Sequence, residues 1–149
     1  MGIVKLAEKK SPWILHYNTG SCNACDIEIL DVFTPLWDVE RFGVVNVGNP
    51  KQADVIVVTG PVNKKAARVL KNLYEQTPEP KVVVVIGICG TSGGVFDGCP
   101  NVLGGVDKVI PVDVYVQGCP ATPEQIIDGI VEGLKKLEEK TSASEAKAK

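Results

Sequence analysis

The sequence lacks both a surplus of charge and a long apolar segment. Its 16 basic and 18 acidic residues give a formal net charge of −2, and this near balance argues against a nucleic-acid-binding protein, in which a basic face is expected. The longest apolar run is Val82–Ile86, continued by Gly87 and Ile88. Because a membrane-spanning helix needs about 20 apolar residues, we expect no transmembrane segment. The first ten residues hold charges but no apolar stretch followed by a cleavage site, so we expect no secretion signal.

Histidine is nearly absent, with one residue, whereas cysteine occurs five times. The histidine, His16, lies within an apolar run, where a hydrogen-bonded core residue is more common than a metal ligand. The missing signal favours an intracellular location, in which thiols stay reduced. Cysteines at recognisable spacings then indicate metal ligands or catalytic groups more readily than disulfides.

The length and patterning of the chain predict one α/β domain. A chain of 149 residues corresponds to one domain at about 100–200 residues each, and 44% hydrophobic residues exclude a wholly disordered chain. Strand-like and helix-like runs alternate, which predicts a flavodoxin-like fold with a mostly parallel sheet and helices on both faces. We expect the domain to cover residues 1–140 and a polar, disordered tail to cover 141–149. The predicted strands are 13–17, 44–47, 54–58, 81–86 and 113–116, and the predicted helices are 24–33, 64–76 and 123–139.

Three local patterns refine this prediction. Ile27, Leu30 and Phe33 are spaced to form one apolar face of the helix 24–33. Thr122, followed by a proline and then by Gln125, is typical of a helix-capping box. Residues 87–108 are glycine-rich and carry little helix signal.

Four of the five cysteines follow predicted strands. Cys22 and Cys25 form a C-x2-C pair after the first strand, and Cys89 and Cys119 each come three residues after a later strand. If these strands are parallel, their carboxyl ends meet at one edge of the sheet, where such folds bind ligands. The topology alone therefore predicts that four thiols converge at this edge.

Four thiolates suit either zinc or an iron–sulfur cluster. Structural zinc sites usually use two local cysteine pairs, and this chain has one such pair and two single cysteines in glycine loops. Glycines let backbone N–H groups approach the sulfurs of a cluster, and residues 86–96 and 114–123 contain no charged side chain. These features favour an iron–sulfur cluster over zinc, and leave zinc as the alternative.

Two further interpretations remain open at this point. Cys99 stands in a Gly-Cys-Pro tripeptide identical to that of Cys119, so spacing alone does not exclude it as a ligand, although its place outside a strand end favours a spare thiol. The segment Thr19-Gly20-Ser21 resembles a flavin-phosphate loop, but two cysteines occupy the turn in which the phosphate would lie.

Three motifs resemble one protein family. The segments GSCNACDIEIL (Gly20–Leu30), GICGTSGGVFDG (Gly87–Gly98) and VYVQGCPATPEQIIDGI (Val114–Ile130) are similar to the small-subunit family shared by [NiFe] hydrogenases and the 20 kDa subunit of respiratory complex I. The resemblance implies a flavodoxin-like fold and one [4Fe-4S] cluster held by four cysteines. The C-x2-C pair replaces the two adjacent cysteines of the complex I branch and points to the hydrogenase branch.

The resemblance also implies specific residue roles. The cluster ligands would be Cys22, Cys25, Cys89 and Cys119. Glu28 matches a glutamate of the family pattern, and a carboxyl beside a cluster could relay protons. Its alternative role is that of a carboxylate favoured by the helix dipole in a first turn.

The short form of the chain, without the C-terminal cluster domain of soluble hydrogenase small subunits, resembles the small subunit of membrane-bound, energy-converting group 4 [NiFe] hydrogenases. The chain would then be a non-catalytic electron-transfer subunit on the cytoplasmic side of the membrane. Its partners would be a large [NiFe]-type catalytic subunit, a ferredoxin-like iron–sulfur subunit and membrane-arm subunits that move ions. Related nickel-free complexes that reduce sulfur compounds or quinones are the alternative, and a zinc-stabilised flavodoxin-like protein-binding module is the alternative of another class.

Overall fold

A computed structural model describes residues 11–147, with side chains up to residue 143. Its centre is a five-stranded parallel sheet made of β1 (Trp13–Asn18), β2 (Val45–Asn46), β3 (Val55–Thr59), β5 (Val82–Ile86) and β7 (Val114–Val116). These strands pair in the order β2-β1-β3-β5-β7. Counting only the strands of this sheet, the order is 2-1-3-4-5, that of flavodoxin. The predicted fold class is confirmed.

The remaining elements surround this sheet. A small antiparallel pair joins β4 (Val62–Asn63) to β6 (Val102–Gly104). The helices are α1 (Ala24–Val32), α2 (Lys64–Gln76), α3 (Ile88–Ser92) and α4 (Pro123–Lys147). Within the described residues, no helix has both the length and the apolar character needed to cross a bilayer.

The sheet separates two apolar cores because its central strands are buried on both faces. In β5, Val84 belongs to the core shared with α1 and α4, whereas Val83 belongs to the core covered by α2. Alternate residues of a strand point to opposite faces, so the unbroken β-branched run of β5 supplies both cores. The predicted placement of helices on both faces is confirmed.

Two predictions about helices need correction. The apolar face predicted for α1 is wrong, because α1 buries Asp26, Ile29 and Val32, while Ile27 and Leu30 remain 58% and 56% exposed. The segment 87–108, predicted to lack helix, contains α3 and β6.

The C-terminal helix begins as predicted but ends later. The N–H of Thr122 donates to Oε1 of Gln125 (3.0 Å), which is one half of the predicted capping box. Helix α4 continues to Lys147, beyond the predicted end near Glu139. The division into a domain 1–140 and a tail 141–149 stays a prediction, and residues 1–10, 148 and 149 lie outside the described part of the chain.

A buried lysine closes the C-terminal end of α2. The side chain of Lys81 is 7% exposed, and its Nζ donates to the carbonyl oxygens of Tyr74 (2.8 Å) and Thr77 (2.9 Å). The same ammonium lies 4.1 Å from the centre of the Tyr74 ring. Carbonyls at the end of a helix lack intrahelical donors, so Lys81 satisfies groups that α2 cannot.

We therefore expect Lys81→Met to lower the free energy of unfolding by about 1–3 kcal/mol, because it leaves two carbonyl oxygens without their donor. Urea unfolding of the purified chain measures this loss. The exposed Lys71 on the same helix is the matched control, and Lys71→Met should change the stability by less than about 0.5 kcal/mol. Equal effects of the two substitutions would show that Lys81 has no capping role.

Candidate metal centre

The structure brings the four predicted ligand cysteines to one edge of the sheet. Cys22 lies in the loop between β1 and α1, Cys25 lies in the first turn of α1, Cys89 lies in α3 directly after β5, and Cys119 follows β7. Since β1, β5 and β7 run parallel, these positions all lie beyond the carboxyl ends of their strands. The convergence that the topology predicted is therefore observed in the fold.

The four thiols are close enough to influence one another. Burial raises the pKa of Cys25, and the neighbouring Asp26, Cys22 and Cys89 raise it further, while a backbone N–H of Ala121 bonded to the sulfur opposes the shift. Burial likewise raises the pKa of Cys89, with added contributions from Cys119 and Cys22. Neighbouring negative charges disfavour the thiolate form. A cation bound among these cysteines would therefore stabilise their thiolates.

Cys99 takes no part in the electrostatic effects on Cys25 and Cys89. Its thiol is exposed, and it is not among the groups that act on Cys25 or Cys89. Its N–H donates to the carbonyl of Phe96 (3.2 Å) and its carbonyl accepts from the N–H of Val102 (3.0 Å), so it lies in the turn that leads to β6.

A single metal ion and a four-iron cluster place different demands on the four thiols. Among the described residues, no three histidine, cysteine or acidic side chains lie close enough to bind a single metal ion. A tetrahedral zinc with Zn–S bonds of about 2.3 Å needs its sulfurs about 4 Å apart. In a four-iron cluster each cysteine binds a different iron, so the sulfurs are spread more widely. The two kinds of site therefore differ in the sulfur spacing that they need.

Glycines shape the wall around two of these sulfurs. Gly87 has a φ of 88°, and a Cβ built on it would lie 2.7 Å from the Sγ of Cys25. Gly94 has a φ of 54°, and its Cβ would lie 3.0 Å from the Sγ of Cys89. Both positions need glycine, because of their positive φ and because a Cβ would be too close to the sulfur. Glycine therefore lets the backbone approach these sulfurs more closely than any other residue would allow.

The N-terminus of α1 faces the same edge and has no side-chain cap. The residue before the helix, Asn23, has a left-handed conformation with a φ of 76° and makes no capping hydrogen bond to the helix. The first N–H groups of a helix have no intrahelical acceptors, and they carry the positive end of its dipole. This end of α1 therefore suits a group of negative charge placed between Cys22 and Cys25.

Beneath the cysteine loop lies a polar network that sequence reasoning missed. Asp26 is 5% exposed, and its carboxylate is within hydrogen-bonding distance of His16, Asn18, Ser21 and Thr59. One sequence pattern could have predicted the burial of Asp26. It lies three and six residues before Ile29 and Val32, which are apolar and are buried on the same face of α1.

His16 is hydrogen-bonded, as its surroundings predicted, but it is only partly buried, with a side chain that is 19% exposed. Its Nε2 lies 2.8 Å from Oδ1 of Asp26 and 3.4 Å from Oγ1 of Thr59. Burial lowers the pKa of His16 below 6.5, and the attraction of Asp26 acts in the opposite direction. A neutral imidazole that faces a carboxylate must carry its proton on Nε2, because the carboxylate can only accept.

Glu28 lies on the outer side of α1. It is partly buried and lines a groove of about 290 Å³ together with Ile27, Leu30, Asp31 and Thr34. Its predicted role as a proton relay stays a prediction. The exposed Ile27 and Leu30 make this groove an apolar surface beside the cysteine edge, and such surfaces mark protein contacts more often than solvated faces.

Comparison with known proteins decides the family. The family described as NADH ubiquinone oxidoreductase, 20 Kd subunit matches residues 22–133, which is more than half of the chain. The chain belongs to this family. The resemblance seen in its three motifs is confirmed, and with it the assignment of the chain as a subunit of an oxidoreductase.

Relatives from both branches of the 20 Kd subunit family match at similar levels. The chain is 52% identical over 128 residues to the probable membrane-bound hydrogenase subunit mbhJ of Pyrococcus furiosus, covering 86% of this chain and 77% of the relative. It is 48% identical over 130 residues to an NADH-quinone oxidoreductase subunit of Flavobacterium psychrophilum, covering 87% of this chain and 70% of the relative. Identity alone therefore does not separate the hydrogenase branch from the complex I branch.

A solved structure carries the same fold. The chain matches a chain in the structure of the membrane-bound sulfane sulfur reductase, an archaeal respiratory membrane complex, with a TM-score of 0.78 and 36% identity. The match covers 92% of this chain and 76% of that one. The mbhJ subunit and this chain of the sulfane sulfur reductase thus belong to membrane-bound complexes. None of the helices described in this chain could span a membrane.

Proposed function

We propose that the chain is an electron-transfer subunit that holds one [4Fe-4S] cluster through Cys22, Cys25, Cys89 and Cys119. The observation that carries this proposal is the meeting of four thiols from three separate strand ends at one edge of the sheet. Zinc remains the alternative weighed from the sequence, and it would bind the same thiolates without sulfide.

The chain supplies what such a cluster needs. The cysteines provide soft thiolate ligands, and the N–H of Ala121 provides a hydrogen-bond donor to the sulfur of Cys25. The N-terminus of α1 has no side-chain cap, and segments 86–96 and 114–123 contain no charged side chain. A bound cluster would take up and release one electron at a time. Donors to its sulfurs and exclusion of water set the potential at which it does so.

The exposed apolar face of α1 supports docking of a partner at the same edge. Ile27 and Leu30 lie on the helix whose first turn contains Cys25, and they border the groove beside it. A partner seated there would cover this apolar surface and bring its own redox centre close to the cysteines. We assign this partner to the large catalytic subunit, with a ferredoxin-like subunit delivering electrons and membrane-arm subunits moving ions.

We expect the double substitution Ile27→Ser and Leu30→Ser to weaken binding of the large subunit by about tenfold or more, because two exposed apolar anchors are lost. The fraction of large subunit that co-purifies with the chain measures this. Val131→Ser on α4, with 44% exposure, is the control and should leave co-purification unchanged. If the face binds nothing, the double variant will retain the large subunit as the unmodified chain does.

We place the chain at the cytoplasmic side of the membrane as a peripheral subunit. The reaction proposed for its complex is ferredoxin-linked reduction of protons to H2, coupled to ion translocation. Its similarity to the mbhJ subunit supports this reaction. The likeness to the sulfane sulfur reductase favours a second candidate, in which the same electron relay serves a nickel-free complex that reduces sulfur compounds.

Turnover by the intact complex tests the proposal. Membranes that contain the complex are supplied anaerobically with reduced ferredoxin, and H2 and sulfide are measured in parallel with the paramagnetic signal of the chain's cluster after rapid freezing. The electron-relay role requires this signal to appear on reduction and to decline as product forms. A signal that keeps one redox state throughout turnover would refute the relay role, and the identity of the product decides between the two reactions.

A further inference from the structure

The loop that carries Cys22 is fixed by the side chains of its own neighbours. Oδ1 of Asn18 accepts from the N–H groups of Gly20 (2.7 Å) and Ser21 (2.8 Å). Oγ of Ser21 accepts from the N–H of Asn23 (3.0 Å). The backbone is therefore held on both sides of Cys22, although Cys22 itself is exposed.

Both of these side chains are in turn held by one carboxylate. Nδ2 of Asn18 donates to Oδ2 of Asp26 (2.9 Å), and the Ser21 hydroxyl donates to the same oxygen. The same Nδ2 also donates to Oγ of Ser21 (3.0 Å), so the two donors of the Asn18 NH2 group are shared between the loop and Asp26. The loop is thus hydrogen-bonded, through Asn18 and Ser21, to Asp26, the residue that follows Cys25.

The second oxygen of Asp26 ties the loop to the sheet. Oδ1 accepts from Oγ1 of Thr59 (2.6 Å) and from Nε2 of His16 (2.8 Å). Thr59 is the last residue of β3 and is fully buried, and His16 lies in β1. Asp26 therefore links a glycine-containing loop to two strands of the main sheet.

We propose that Asp26 is a positioning residue, which holds the Cys22–Cys25 loop in its ligand-ready shape before any cluster is bound. This inference rests on the proposed function, because only that function makes Cys22 and Cys25 cluster ligands. It adds that Asp26 holds their loop in the required conformation. Four donors converge on this side chain, and a carboxylate is the group that can only accept. Asparagine has the same size but brings an NH2 group against donors, so the two are not equivalent.

The first test uses the cluster-free full-length chain and measures amide hydrogen exchange by NMR. We expect the amides of Gly20, Ser21 and Asn23 to be protected, and Asp26→Asn to speed their exchange by about tenfold or more because the loop opens locally. The matched control is Asp31→Asn on the same helix, whose carboxylate accepts from Thr34 and Trp37 instead. This control should leave the three amides unchanged.

The second test rebuilds the cluster under anaerobic conditions and measures iron per chain, the paramagnetic spectrum and the midpoint potential. Asp26→Asn should load iron more slowly, and the loaded fraction should show a changed spectrum and a more positive potential, since a negative charge beside Cys25 is gone. Asp31→Asn should match the unmodified chain. Thr59→Val, which removes one donor to Oδ1, should shift exchange and loading in the same direction by a smaller factor.

The outcomes separate this inference from the proposed function. If the unmodified chain binds no iron, the proposed function fails, and the exchange data alone still decide whether Asp26 holds the loop. If the unmodified chain loads its cluster while Asp26→Asn and Thr59→Val match it in exchange, loading and spectrum, the positioning role is overturned. Should Asp26→Asn not fold, as judged by circular dichroism, Thr59→Val carries the same comparison.

Discussion

Cys119→Ser is expected to remove the cluster, lowering the iron content after anaerobic purification from about four atoms per chain to less than about one. Serine keeps the size of the side chain but loses the soft thiolate that iron–sulfur clusters require. Because Cys119 is exposed in the loop after β7, the substitution should leave the fold intact. Cys89→Ser should have the same effect, since Cys119 is among the groups that raise the pKa of Cys89 and so lies near it.

Cys99 provides a matched control for this experiment. It is also exposed and also stands between a glycine and a proline, yet it is not among the groups that raise the pKa of Cys25 or Cys89. Cys99→Ser should therefore retain iron, sulfide and the visible absorption of the unmodified chain. Loss of iron in Cys99→Ser, with retention in Cys89→Ser, would show that the ligand assignment is wrong.

Gly87→Ala is expected to weaken cluster binding several-fold without changing any ligand. A Cβ at position 87 would lie 2.7 Å from the Sγ of Cys25, so the sulfur must move from the place where its ligand role needs it. The φ of 88° adds backbone strain of about 1–2 kcal/mol for any residue with a Cβ. We expect iron loading to fall several-fold and the free energy of unfolding to fall by more than about 2 kcal/mol.

Gly98→Ala separates backbone strain from the contact with sulfur. Gly98 has a similar φ of 80°, but a Cβ built there meets no atom within 4 Å. Its substitution should therefore cost about 1–2 kcal/mol of stability and leave iron loading as it was. Iron analysis and urea unfolding of the two variants give the comparison. Equal iron loading in both would mean that the position of Cys25 does not matter for binding.

The sheet was predictable from the sequence because the residue pattern of each strand agrees with its burial in the folded chain. The β-branched run of β5 can only be buried on both faces, and alternation with helices requires parallel strands. Once the strands are parallel, the position of each cysteine after its strand decides which edge it occupies. The place of Cys22, Cys25, Cys89 and Cys119 was therefore predictable without any side-chain detail.

The details around α1 were not predictable, because two of its faces are apolar. Ile29 and Val32 meet the core, while Ile27 and Leu30 remain exposed beside the cysteine edge. Spacing identifies an apolar face but not which face the sheet covers, and an exposed apolar face has the same pattern in the sequence as a buried one. The outward face was thus mistaken for the inward one.

Asp26 escaped sequence reasoning for a related reason. An acidic residue in a first helical turn ordinarily indicates a solvated carboxylate favoured by the dipole, and nothing local reveals that His16 and Thr59 reach it from two strands. Its burial depends on contacts between residues up to 33 positions apart. Such contacts follow from the sheet register, which only the folded chain provides.

The central claim, that four thiols at one sheet edge bind a single iron–sulfur cube, is tested most directly by metal and sulfide analysis of the anaerobically purified chain. The account predicts about four iron atoms and about four acid-labile sulfides per chain, with a brown colour that bleaches on reduction. One zinc atom per chain without sulfide would contradict it.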